Sequence, residues 1–124
     1  MKISITQESA RVTVTVFTVS GMINLGTVGE LEDEAREYYE GGMRNLLIDL
    51  SEVVSLTSAG LRALLGISKM LEDEEGGGEA GGVGKSEHLK LLNPKPQIRG
   101  VLNIASFDSL FDIFEDRGEA LAAF

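Results

Sequence analysis

The chain has 124 residues, room for one domain (1–124) around one core, since domains commonly run to roughly 100–150 residues. With 43% hydrophobic and 25% charged residues it has an ordinary globular composition, and no apolar run approaches the ~20 residues of a membrane span. The net charge of −9 lacks any Lys/Arg cluster and argues against direct nucleic-acid binding, and zero cysteines exclude disulfides, thiolate zinc sites and cysteine nucleophiles.

In chain order, Lys2–Gln7 and Ala10–Ser20 read as an opening pair of strands. Val12, Val14 and Val16 alternate with Thr13 and Thr15, the period of two expected of β-branched residues on a pleated surface. Gly21 is expected to break that run, and Met22-Ile23 leads to a helix. Thr27-Val28-Gly29-Glu30 fits a capping box, and Val28, Leu31, Ala35 and Tyr38 make one apolar stripe that Gly41-Gly42 ends. The acids between Glu30 and Glu40 read as a solvated face, which leaves a basic protein partner open.

Leu46-Leu47-Ile48-Asp49-Leu50 is a nearly continuous apolar run, as expected of a strand covered on both faces, with Ser51–Leu56 as the turn that follows. From Ser58, the spacing of Leu61, Leu64, Leu65, Met70 and Leu71 predicts a helix. A hydroxyl at such a start has two readings, a plain N-cap or a place to carry a phosphate, because free N–H groups and the helix dipole favour negative charge there. The polar strip of this helix is narrow (Arg62, Gly66, Ser68, Lys69), so neighbouring helices or a partner must cover the rest.

Residues at about 73–87, with six glycines between Gly76 and Gly84, read as a flexible surface loop. Gly81–Ser86 superficially echoes a P-loop, but the earlier glycine that pattern needs falls on Glu79, and a helix precedes where a strand should. Replacing 75–85 with a short Gly-Ser turn is therefore expected to leave folding and partner binding nearly intact; loss of cooperative unfolding in the shortened protein would contradict this. His88–Leu92 then reads as a strand, and Asn93-Pro94 as cap and first-turn proline of a helix burying Ile98, Val101, Leu102 and Ala105. A turn with a short apolar stretch (Phe107–Phe114) and a last helix (about Arg117–Phe124, burying Leu121 and Phe124) complete the chain. Strands alternating with helices indicate an α/β domain with a partly parallel sheet.

Enzymatic readings are thin. The single histidine, His88, reads as a structural or surface residue. The acids Asp33, Glu34, Glu37 and Glu40 lack calcium-loop spacing, and no nucleophile elbow surrounds Ser58. No catalytic residue, metal ligand or cofactor is expected. Met1–Thr6 lacks a secretory leader's apolar segment, so a cytoplasmic location without membrane attachment is expected.

The segments Leu46–Val53 and Thr57-Ser58-Ala59-Gly60-Leu61-Arg62-Ala63-Leu64-Leu65 resemble the STAS domain of bacterial anti-sigma factor antagonists, with its strand, turn and "D-S-[S/T]-G-L" switch. Leu89–Asn93, Val101-Leu102, Leu110–Phe114 and Glu119-Ala120-Leu121 look like that family's last strand-helix units, so the resemblance runs through nearly the whole chain. It implies a single-domain mixed β-sheet with helices packed mainly on one face. It also implies a non-enzymatic switch: the unphosphorylated form binds an anti-sigma factor that is itself a serine protein kinase, and a protein phosphatase removes the phosphate. The phosphorylated serine maps onto Ser58, and Asn24, Thr57, Ser58, Ala59, Gly60, Leu61 and Arg62 map onto the partner-binding surface. ATP and magnesium belong to the kinase. Thr57 stands where the family carries an acidic residue before the serine, and Asn24 where it carries one after the opening strands, so a negative charge beside Ser58 is missing. The competing expectation is a constitutive STAS scaffold in a transporter or stress-signalling complex, never phosphorylated.

Overall fold

The computed structural model describes residues 1–73 and 85–124. Most of the expected glycine-rich loop and of its P-loop echo falls outside the described residues; at its end Lys85 makes an exposed 3.6 Å ion pair with Asp112, and the Ser86 hydroxyl donates to Glu72 Oε2 at 2.6 Å and accepts from Leu89 N at 3.1 Å. Among the described residues the chain forms one five-stranded sheet in sequence order: β1 (Lys2–Ser9), β2 (Thr13–Ile23), β3 (Leu46–Leu56), β4 (Leu89–Leu92) and β5 (Ile113–Phe114). β1 runs antiparallel to β2, and the remaining pairings are parallel. The helices are α1 (Val28–Glu40), α2 (Ser58–Asp73), α3 (Pro96–Ile104) and α4 (Arg117–Ala122), with a 3-10 turn at Phe107–Ser109.

The mixed sheet with helices mainly on one face is observed. Leu31 and Ala35 of α1, Leu64, Ile67 and Leu71 of α2, and Ile98 and Leu102 of α3 pack with Phe17, Val19, Ile48, Leu50 and Leu91 of the sheet in one core. Tyr38 sets its ring edge-on to Phe17 at 5.8 Å. The opposite face holds a smaller cluster, Val14, Val16, Leu47 and Leu92, closed by Ala120 of α4 and by half-buried Leu121 and Phe124. Buried Lys90 lies there too, 3.3 Å from Asp112 Oδ2 and 5.2 Å from the centre of the Phe124 ring.

Two strands run further than their sequence suggests. β2 passes through Gly21, which adopts φ +95°, and β3 continues through Ser51–Leu56 instead of turning at Ser51. Where β2 advances from Thr18 to Ser20, β3 advances from Asp49 to Glu52, and a second shift falls between Gly21 and Met22. Each is a bulge that puts one extra residue into β3. Inward-facing side chains therefore go from Leu46, Ile48 and Leu50 to Val53 and Leu56, and a period of three replaces the period of two.

Three helices also differ in detail at their ends. The hydroxyl of Thr27 does not cap α1, because it donates to Met22 O at 2.8 Å and accepts from Asn24 N at 2.9 Å. α3 begins at Pro96, two residues after Pro94, since Asn93 is held in the left-handed region (φ 54°) with its N–H bonded to Phe114 O. α4 is shorter than expected and is capped by Asp116, whose Oδ2 accepts from Glu119 N at 2.8 Å. Asp116→Ala is expected to lower stability by about 1 kcal/mol, read as a fall in thermal midpoint.

Candidate functional site

In open sheets, sites gather at the carboxyl ends of parallel strands, where loops leave for the helices. Here β2 ends at Ile23 and β3 at Leu56, neighbours in register, so the β2–α1 loop and the start of α2 lie side by side.

Asn24 organises the first loop. Its Oδ1 accepts from Gly26 N at 2.9 Å, and its carbonyl accepts from the N–H groups of Thr27 and Val28 at 3.0 and 2.9 Å. An aspartate could make the same acceptor contact, so asparagine keeps the turn and removes its charge. Asn24 is half-buried and spends its side-chain oxygen inside the loop.

Thr57 joins the second loop to the first. Its N–H donates to Ile23 O at 3.1 Å, its hydroxyl reaches the same oxygen at 3.4 Å, and its carbonyl accepts from Leu61 N at 2.9 Å. That last bond closes the first turn of α2, which makes Thr57 the N-cap residue and Ser58 the first residue inside the helix. The N-cap reading of Ser58 is thus corrected. Ser58 is exposed, and its hydroxyl makes no hydrogen bond among the described residues. The first-turn amides of Ser58, Ala59 and Gly60 have no acceptor within the helix, so the dipole there favours an anion.

The remaining residues of the expected surface divide. Arg62 is exposed one turn beyond Ser58, Leu61 and Ala59 are half-buried, and Gly60 is buried. A Cβ on Gly60 would lie 2.6 Å from Leu56 Cδ1, 2.9 Å from Ile23 Cγ2 and 3.0 Å from Ile23 O. Gly60 is therefore a packing requirement: it lets α2 close on the end of β2 and offers no contact area of its own. Sequence reasoning missed four exposed apolar side chains around this end: Met22 (50%), Leu25 (78%), Val54 (54%) and Leu65 (41%). Leu65 lies on the Ser58–Arg62 stripe of α2, whereas Met22 and Val54 lie in the bulged stretch that alternation does not describe.

This arrangement is poor in catalytic means. His88 sits at the other end of the sheet, where its carbonyl accepts from Leu46 N and its Nδ1 lies 3.1 Å from Asn45 Oδ1. The length of β3, 11 residues or about 33 Å, separates it from Ser58. Among the described residues no three histidines or carboxylates gather where an ion could be held, and no helix is long and apolar enough to cross a membrane.

The STAS domain family model matches residues 5–79. The chain is 31% identical over 106 residues to BtrV of Bordetella bronchiseptica, named for anti-sigma factor antagonism, covering 86% of this chain and 82% of that protein. The crystal structure of an anti-sigma factor antagonist from Mycobacterium paratuberculosis superposes with a TM-score of 0.74 at 26% identity over 98% of this chain and 93% of that one. The Bacillus cell fate determinant SpoIIAA, solved in its phosphorylated form, shares the fold with a TM-score of 0.63 at 18% identity over 94% and 96% of the two chains. The match to the family model over more than half of the chain, and the 31% identity to a curated relative, make the chain a member of the STAS domain family of anti-sigma factor antagonists.

Proposed function

We propose that the chain is a cytoplasmic partner switch: unphosphorylated, it binds an anti-sigma factor that is a serine kinase, and phosphorylation of Ser58 releases it. A protein phosphatase resets the switch. The observation that carries this reading is the Ser58 hydroxyl, exposed on the first residue of α2 and free of any intramolecular bond among the described residues. A side chain needed for capping would be occupied; this one is available to an enzyme. A phosphate there meets the free first-turn amides and the positive end of the helix.

Exposed Leu65 and Arg62, on the same stripe of α2, supply an apolar contact and a cation for the partner. Proteins named as anti-sigma factor antagonists share this fold, and SpoIIAA has a phosphorylated form. Neutral Thr57 leaves the phosphoacceptor without the family's neighbouring carboxylate, the feature that favours the constitutive scaffold reading. Mass spectrometry after incubation with the cognate kinase and ATP decides between them. One phosphate on Ser58 is expected; an unmodified chain that still binds its partner would favour the scaffold.

A further inference from the structure

β1 forms one edge of the sheet, and its eight residues contain no proline and no bulge. Its hydrogen-bonding sides follow from two contacts. Ala10 N donates to Val12 O, and Thr15 N donates away from β1 to Asn45 O in the loop before β3. In an antiparallel ladder the bonded pairs alternate, so the even residues of β1 bond to β2. The N–H and C=O groups of Ile3, Ile5 and Gln7 point outward from the sheet, unpaired by the ladder.

The same strand is self-complementary. An antiparallel partner must offer its own outward-pointing residues in register, so two copies of β1 can pair only where the paired residue numbers have an even sum. Pairing Ile5 with Ile5 is the one such register that places Lys2 opposite Glu8, and it does so twice by symmetry. It also overlaps almost the full length of the strand, with Ile3 and Gln7 as bonded partners. Lys2 and Glu8 would be a non-bonded pair, with Cα atoms about 4.5 Å apart, where side chains lie closest.

Lys2 is exposed and makes no ion pair among the described residues. Glu8 is held on the α4 side of the sheet by Arg117 NH2, 2.8 Å from its Oε2, which leaves the second carboxylate oxygen for a lysine. Ile5, partly buried at the rim of the core, would lose its remaining exposure against Ile5 of the other copy, and Ile3 would be covered by Gln7 opposite it and by Ile5 on the diagonal. We infer that two copies of this chain associate edge to edge through β1, in the register centred on Ile5, forming one continuous ten-stranded sheet. The interface lies two strands from the β3–α2 junction and leaves Ser58 open, so this dimer is independent of the switch proposed above.

The test is sedimentation of the full chain over a range of concentrations at physiological ionic strength, where charge beyond about 8 Å is screened. Concentration-dependent dimer is expected for the wild type. Lys2→Glu and Glu8→Lys each put like charges opposite one another and should each weaken the homodimer about tenfold or more. Mixed together, the two variants restore both attractive pairs and should form a heterodimer. Gln7→Pro, at an edge position whose N–H faces solvent, should keep the monomer's thermal midpoint and lose the dimer. A wild type that stays monomeric at every concentration, or a dimer indifferent to all of these changes, overturns the inference. Circular dichroism of each variant separates loss of association from loss of fold.

Discussion

Replacing Ser58 with aspartate is expected to leave the fold intact and to remove most of the affinity for an anti-sigma partner. The carboxylate would stand at the first residue of α2, facing amides without acceptors and the positive end of the helix, worth roughly 0.3–1 kcal/mol in its favour. Folding stability should hold or rise slightly. Binding is a different matter, because a surface formed around a neutral hydroxyl, Leu61 and Leu65 would have to take in a charge. Burying that charge unpaired costs several kcal/mol, so affinity should fall about a hundredfold or more.

Ser58→Ala provides the complementary result. Because Thr57, and not Ser58, holds the N-cap position, alanine should cost almost no stability, where loss of a true cap costs about 1 kcal/mol. The alanine variant should bind like the wild type and be unaffected by kinase and ATP. Calorimetric titration of wild type, both variants and kinase-treated protein checks this. Equal affinities across all four would leave Ser58 an ordinary first-turn residue and favour the scaffold reading.

The other large effect is expected at Gly60. A Cβ there would lie 2.9 Å from Ile23 Cγ2 and 3.0 Å from the Ile23 carbonyl, neither of which can rotate away, and valine adds two methyl groups beyond it. The first turn of α2 would have to lift from the end of β2, costing about 3 kcal/mol by overpacking. Alanine already brings that Cβ and also meets Leu56 Cδ1 at 2.6 Å, so the gain of about 1 kcal/mol in helix propensity on leaving glycine offsets only part of its clash, and valine does more harm by its two further methyl groups. Urea unfolding should therefore rank wild type above Gly60→Ala and Gly60→Ala above Gly60→Val. A neutral valine variant would show that α2 does not depend on this close approach.

The order of strands and helices could be read from the sequence because long apolar periods dominate it: alternating valines in β2, the run Leu46–Leu50, and the stripes of α1 and α2. The ends were less legible, each for a local reason. In β3 the bulges space the buried Leu50, Val53 and Leu56 three apart, which looks like a turn to any test of alternation. At α1 the hydroxyl of Thr27 is drawn away from the helix by Met22 O, a contact set by the path of the loop and invisible in the capping pattern.

The candidate site was legible as a segment but not residue by residue. Thr57-Ser58-Ala59-Gly60-Leu61-Arg62 marks the start of α2, yet which hydroxyl caps depends on one bond, Leu61 N to Thr57 O. Likewise Gly60 reads as contact surface until the approach of Ile23 is known, and the exposure of Met22 and Val54 follows from the bulges.

The Ile23 carbonyl bears on the thermodynamics of recognition. One oxygen receives both the N–H and the hydroxyl of Thr57 and lies against Gly60, so the loop leaving β2 and the head of α2 are fastened together before any partner arrives. Ordering a side chain at an interface costs roughly 0.5–1.5 kcal/mol, and a surface already set in place avoids much of that loss. Docking at this end should consequently carry a small entropic penalty and little backbone rearrangement, and a few exposed apolar side chains can suffice for useful affinity.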